Sequence, residues 1–259
     1  MGKTVLVTGA TGGLGWSYAK YFAREGWDVI LTGRKETIAQ RGEELRQKHG
    51  VRAETLRLEL GEKEGVDALL KALEGRRIDA LVNNAGYGHA GKFIDTDDSV
   101  IENMLYLHTT CAARLCRALG KPMAERGEGI IINISSAAAF APAPNSALYT
   151  ASKRCLLHLT EALHVELAPK GVRVQAVCPG MIDTDFHTRM GVDTGNNWRH
   201  LLPFRSPDAV CADAMKDFKR GKVVSVPDLG GKALRQADRH LPRGLFYRIL
   251  GLVDRKLMS

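Results

Sequence analysis

Apolar residues fall in short runs separated by polar stretches. Val5-Leu6-Val7, Val29-Ile30-Leu31, Leu56-Arg57-Leu58, Ala80-Leu81-Val82, Ile130 to Ile134 and Val172 to Val177 read as strands, with a weaker run at Val223 to Val226. Several are apolar at consecutive positions, the pattern of a strand covered on both faces. Helical periodicity fits the intervening segments 14–25, 36–48, 64–73, 97–125 and 147–167, and Asp97 and Asp98 read as start residues of the fourth. This alternation predicts right-handed βαβ units and an α/β fold, one doubly wound parallel sheet of seven strands. No repeat and no Pro/Ser-rich linker divides the chain, so residues 1–259 are expected to form a single domain.

Beyond residue 183 the rhythm changes. Gly191, Gly195, Asn196, Asn197, Pro203 and Pro207 mark a loop, so about 183–210 reads as a lid over a substrate. Residues 232–259 carry seven basic side chains against Asp238 and Asp254, beside Leu245, Phe246, Ile249, Leu250, Leu252 and Val253. This basic amphipathic tail reads either as a helix packed on the domain or as a peripheral contact with a membrane.

Composition narrows the classes. With 44% apolar and 25% charged residues the chain is an ordinary globular one, neither disordered nor collagen-like. No run approaches the roughly 18 apolar residues of a membrane-spanning helix. The net charge of +8 admits an anionic ligand, a membrane surface or nucleic acid, but no nucleic-acid motif accompanies it. Five cysteines without a CxxC, and without metal-ligand spacing, predict reduced thiols in the cytoplasm. Cys111 and Cys116 read as buried packing. The first residues lack the apolar core of a signal peptide.

The first strand runs into Thr8-Gly9-Ala10-Thr11-Gly12-Gly13-Leu14-Gly15, with a helix directly after. Glycines there permit a tight turn and close approach of backbone to phosphate, and the helix start offers free N–H groups to a pyrophosphate. In this position the motif points to a dinucleotide and a Rossmann-type fold. The second strand ends Leu31-Thr32-Gly33-Arg34-Lys35. No acid stands there to take a ribose 2′-hydroxyl, whereas the Arg34 fork and Lys35 suit a 2′-phosphate, so NADP(H) is expected over NAD(H).

Tyr149-Thr150-Ala151-Ser152-Lys153 opens the predicted fifth helix. Positions i and i+4 share a face, so the Lys153 ammonium is expected near the Tyr149 phenol, lowering its pKa for proton exchange with a substrate oxygen. Ser135 and Ser136 close the fifth predicted strand, whose carboxyl end is where ligands bind in such sheets.

The motifs TGATGGLG, NNAG, ISS, YTASK and PGMIDT, in this order over about residues 3–186, resemble those of the short-chain dehydrogenase/reductase family. The resemblance implies that Tyr149 is the catalytic acid/base and that Lys153 tunes it and holds the nicotinamide ribose. Ser136, thirteen residues before Tyr149, would be the substrate-oxygen donor. It implies cofactor contacts from Gly9, Thr11, Gly13, Leu14 and Gly15, from Arg34 and Lys35, from Glu59 and Leu60 near the adenine, and from Asn83, Ala85 and Gly86. On the nicotinamide side it implies Pro179, Gly180, Ile182 and Thr184. The family's helix asparagine, which helps hold a proton-relay water, is replaced by His108, so a modified relay is expected.

The reading is therefore an NADP(H)-dependent oxidoreductase that interconverts a ketone or aldehyde and an alcohol. Ala137 to Asn145 lines the substrate side in relatives, and with Met181, Phe186, Met190, Trp198, Leu201 and Leu202 it suggests a bulky hydrophobic carbonyl or alcohol, such as a steroid or acyl-chain ketone. His187 and His200 border the lid. The tail from Leu241 resembles extended members of the family. A general or 3-oxoacyl-type carbonyl reductase, a different enzyme on this fold and a catalytically weak NADPH-binding regulator are the alternatives. The helices at 97–125 and 147–167 pair between subunits in relatives, which implies a dimer or tetramer.

Overall fold

The computed structural model describes residues 2–184 and 204–258. Seven strands, β1 (Thr4–Thr8), β2 (Asp28–Gly33), β3 (Ala53–Arg57), β4 (Ala80–Asn83), β5 (Gly129–Ile134), β6 (Val172–Val177) and β7 (Val224–Ser225), form one parallel sheet in the order β3-β2-β1-β4-β5-β6-β7. The helices are α1 (Gly13–Arg24), α2 (Ile38–His49), α3 (Lys63–Ala72), α4 (Asp98–Leu105), α5 (Ala112–Glu125), α6 (Ala147–Leu167), α7 (Pro207–Lys219), α8 (Leu229–His240) and α9 (Arg243–Met258).

Both faces of the sheet are covered, which is why its strands are apolar without alternation. Tyr18 and Phe22 of α1, Leu45 of α2 and Phe218 of α7 join Val5, Val7 and Leu31 in one buried layer. Leu69 of α3 and Leu115 and Met123 of α5 join Leu6, Ile30, Leu81 and Ile131 in the other.

Four local expectations are corrected. The third strand spans Ala53–Arg57 rather than 56–58, because the register with β2 pairs Val29 with Ala53 and Gly33 with Arg57; at the sheet edge its apolar signal is thin. The segment 97–125 is not one α-helix: a π-helical stretch, Tyr106–Cys111, separates α4 from α5. There the Thr109 hydroxyl donates to the Leu105 carbonyl, a back-bond that competes with the helical ladder. Pro207 opens α7 instead of belonging to a loop; Ser206 caps that helix by accepting the Ala209 N–H at 3.2 Å. The tail is two helices, α8 and α9, because Pro242 cannot continue the first. In α9, Phe246 is buried while Leu245, Tyr247, Ile249 and Leu252 are exposed. The segment 185–203, with Phe186, His187, Met190, Trp198, His200, Leu201 and Leu202, lies outside the described residues.

A buried amide network ties the central strands to α6. Asn83 donates to Asn133 at 2.8 Å, Asn133 donates to the Thr160 hydroxyl at 2.9 Å, and that hydroxyl donates to the Leu156 carbonyl at 2.6 Å. Replacing Asn133 with leucine removes the shortest hydrogen bond of the Asn83 amide and the donor to Thr160, leaving Asn83 only its longer bonds to the Ala112 carbonyl and the Cys116 sulfur. Urea unfolding of Asn133→Leu is expected to show a loss of about 1–3 kcal/mol; an unchanged midpoint would mean that the network contributes no net stability.

Candidate active site

The strand order reverses between β1 and β4, and their carboxyl ends part there to leave a crevice. The glycine loop leaves β1 at its rim. Gly9 is left-handed, with φ at +65°, and a Cβ there would stand 2.8 Å from the Ala85 Cα. A Cβ at Gly15 would stand 2.5 Å from the Gly9 carbonyl oxygen. Gly12, at the start of α1, has open space around its Cα, and no side chain caps the helix. The N–H groups of that first turn therefore face outward for an anion, as a pyrophosphate cradle requires.

The loop after β4 is strapped to the glycine loop. The Thr8 hydroxyl accepts the backbone N–H of Asn84 at 2.9 Å and of Ala85 at 3.0 Å, and the Asn84 amide donates to the carbonyls of Thr8 and Gly9, both at 3.0 Å. Sequence reading missed Asn84; the doubled amide Asn83-Asn84 was its signal. The Asn83 side chain turns away into the core network, and Leu60 is buried among apolar side chains, so only their main chains can face a nucleotide. Arg34 and Lys35 are exposed beyond β2, and Arg34 lies 3.5 Å from Glu59.

On the other side, Asp228 holds the loop after β6 by accepting the Gly180 N–H at 2.7 Å, and it caps α8 through the Gly231 N–H at 2.6 Å. The Pro179 carbonyl accepts the Ala137 N–H at 2.8 Å. Ile182 bridges to Arg205, which also donates to the Pro227 carbonyl at 2.8 Å. Thr184 sits over the glycine loop, where a Cβ on Gly13 would meet its methyl at 3.2 Å.

Ser136, Tyr149 and Lys153 come together between these loops. Ser136 hydrogen-bonds the Tyr149 phenol, while Ser135 turns away and donates to the Lys153 carbonyl at 2.8 Å. Lys153 Nζ donates to the Ile134 carbonyl at 3.0 Å and lies 5.8 Å from the centre of the Tyr149 ring. The expected lowering of the phenol's pKa is not what this arrangement gives. Burial pushes Tyr149 up to about 12 against the opposing Ser136 hydrogen bond, and burial pushes Lys153 down to about 8. Ala139 and Phe140 pack into a core cluster with Leu157 and Cys178 rather than lining the crevice, which corrects their expected place. Cys111 and Cys116 are buried. His108 is buried as well, between the loop after β4 and α6.

The lysine makes a pH test. Its folded pKa, about 8, lies below the usual ~10.4, so between these values the unfolded chain holds the extra proton and stability rises with pH. Any stability gained by Lys153→Met at about pH 8 should shrink by on the order of 2 kcal/mol by about pH 10. Urea unfolding at both pH values reads this, and a constant difference would show that the ammonium is not desolvated.

The family model described as short chain dehydrogenase matches residues 3–194, which span all of these motifs. The very-long-chain 3-oxoacyl-CoA reductase of Anas platyrhynchos is 37% identical over 190 residues, 71% of this chain. The match covers 61% of that protein, less than two thirds of its length. A solved structure, a short-chain dehydrogenase from Sphingobium yanoikuyae in complex with NADPH, aligns with a TM-score of 0.84 at 34% identity over 94% of each chain. The bulky-bulky ketone specific alcohol dehydrogenase from Comamonas testosteroni aligns with a TM-score of 0.79 at 28% identity, over 99% of this chain and 94% of that one. The parallel sheet, the glycine loop on its first turn and these matches carry the same conclusion: the chain belongs to the short-chain dehydrogenase family of oxidoreductases.

Proposed function

We propose that this protein interconverts a bulky hydrophobic ketone or aldehyde and the corresponding alcohol, with NADP(H) as hydride partner. The observation that carries the reading is the meeting of the Ser136 and Tyr149 hydroxyls beside Lys153, at the crevice that the glycine loop borders. When bound, the nicotinamide supplies or takes the hydride. Ser136 hydrogen-bonds the substrate oxygen and holds it toward Tyr149. Tyr149, kept protonated by burial, gives its proton to that oxygen in reduction and recovers it in oxidation. Lys153 and the loops of Gly9 to Gly15, Asn83 to Gly86 and Pro179 to Thr184 position the cofactor.

The reading of NADP(H) preference rests on Arg34 and Lys35, exposed beyond β2 with Glu59 3.5 Å from Arg34, and the bound NADPH of the Sphingobium relative supports it. The named substrates of the duck and Comamonas relatives, a very-long-chain 3-oxoacyl-CoA and bulky-bulky ketones, support a large apolar carbonyl, a steroid ketone among the candidates. Self-association into a dimer or tetramer uses the exposed faces of α5 and α6 in this reading.

Fluorescence titration with NADPH and NADH, followed by turnover on long-chain 3-oxoacyl thioesters and steroid ketones, tests the whole reading. Tyr149→Phe should bind NADPH as before and lose about a hundredfold or more in kcat. Arg34→Ala should weaken NADPH about ten- to a hundredfold and leave NADH unchanged, the loss of one charge-assisted hydrogen bond. Turnover that survives in Tyr149→Phe, or equal weakening of both nucleotides, would overturn the respective assignment.

For the tail we propose an anionic membrane surface, because the exposed Leu245, Ile249 and Leu252 lie along one face of α9 and the exposed Arg248 stands beside them. Sedimentation with phosphatidylglycerol vesicles, and not with phosphatidylcholine alone, should fail in a Leu245→Asp, Ile249→Asp variant. Self-association through this face without vesicle binding would reject the membrane.

A further inference from the structure

His108 stands where the family's asparagine is expected, and its surroundings define what the ring does. The backbone N–H of Tyr87 donates to His108 Nε2 at 3.1 Å, so that nitrogen is the acceptor and carries no proton. The proton is on Nδ1, which lies 2.9 Å from the Ser152 hydroxyl and donates to it. Ser152 passes its own hydrogen to the Tyr149 carbonyl at 2.8 Å. Both ring nitrogens therefore have fixed partners, one on the loop after β4 and one on the second turn of α6. The ring also packs edge-on against two aromatic neighbours, with centroids 5.8 Å from Tyr87 and 5.9 Å from Tyr149. Gly86 fits against it only because it lacks a side chain: a Cβ would stand 2.9 Å from His108 Nε2 and 3.5 Å from Lys153 Nζ. The ring stands on the π-helical stretch Tyr106–Cys111.

We propose that His108 is a positioning residue, a neutral imidazole protonated on Nδ1 that fixes the Gly86–Tyr87 loop against Ser152 on the second turn of α6 and so sets where Tyr149 and Lys153 stand. This rests on the oxidoreductase reading for its kinetic consequences and on geometry alone for its tautomer. With donor and acceptor both engaged, the ring is a strut and not a proton shuttle. Among the described residues the titratable groups facing it are Tyr87, Tyr149 and Lys153, with Cys111 on the same small cavity. Burial, joined by the Lys153 charge, holds its pKa well below the usual histidine range. An imidazolium would also turn a donor toward the Tyr87 N–H.

Two measurements test the strut. With isotopically labelled histidine rings, two-bond proton–nitrogen correlation should show His108, assigned by its absence in His108→Asn, neutral and protonated on Nδ1 from about pH 8 to about pH 6. The other tautomer, or a charged ring at about pH 6, would overturn the proposal whether or not the protein turns over a carbonyl. Three variants then separate the two arms. His108→Gln can reach the Tyr87 N–H and loses the Ser152 donor, so kcat should fall about tenfold with the NADPH dissociation constant nearly unchanged. His108→Asn can reach Ser152 and leaves Tyr87 unpaired, so NADPH binding should weaken about tenfold with kcat less affected. His108→Phe keeps the ring packing and should lose on both measures. A His108→Phe variant with wild-type kcat and NADPH affinity, or three variants whose losses simply follow their melting temperatures, would leave only a packing role and reject the proposal.

Discussion

At the centre of the sheet β1 and β4 run side by side and then part, one chain turning into the glycine loop and the other into Asn84-Ala85-Gly86. Two diverging loops with exposed backbone have no reason to stay in contact. The Thr8 hydroxyl supplies one: it accepts both Asn84 and Ala85 N–H groups, while the Asn84 amide reaches back to the carbonyls of Thr8 and Gly9. Four hydrogen bonds from two side chains thus set the width of the crevice. The glycines are the consequence. With the loops held this close, a Cβ at Gly9 would enter the Ala85 backbone and one at Gly15 would enter the Gly9 carbonyl.

The same logic extends inward. Below that strap, Asn83 and Asn133 meet across β4 and β5, and Thr160 brings α6 into the same network. A polar network in a dry interior is unforgiving, because each member is satisfied only if every strand and helix is in register. It therefore ties the middle of α6, at Leu156 and Thr160, to β4 and β5, and Tyr149 and Lys153 stand on the first two turns of that helix. The site is positioned from beneath by amides and from above by the His108 ring.

Much of this was legible in the sequence, and the reason is locality. Parallel strands buried on both faces declare themselves by apolar runs, and the glycine loop, Ser136 and the Tyr149–Lys153 pair occupy positions fixed by strand ends and helical turns. What was not legible depends on partners distant along the chain. The break in the helix at Tyr106–Cys111 involves a threonine hydroxyl competing with the ladder, and β-branched residues in helices usually leave the ladder intact. Asn83 belongs to a motif associated with nucleotide contact, yet its side chain is claimed by Asn133, which lies 50 positions away. Ser152 drew no notice because a serine between tyrosine and lysine looks like a spacer; its role needs His108, 44 positions earlier. The edge strand β3 was misplaced because its register comes from β2, not from its own pattern.

The energetics of the site follow from its enclosure. Burial drives both Tyr149 and Lys153 toward their neutral forms, the phenol up to about 12 and the amine down to about 8. Proximity of a lysine is therefore not enough to make a phenolate: at 5.8 Å from the ring centre, with its Nζ turned to the Ile134 carbonyl, Lys153 does not offset the loss of water around the phenol. The Ser136 hydrogen bond opposes burial and is outweighed. A phenol in that condition is a poor base but keeps its proton until an oxygen that needs it arrives. In the carbonyl reduction proposed above, negative charge develops on the substrate oxygen and creates the demand for that proton at the moment of transfer.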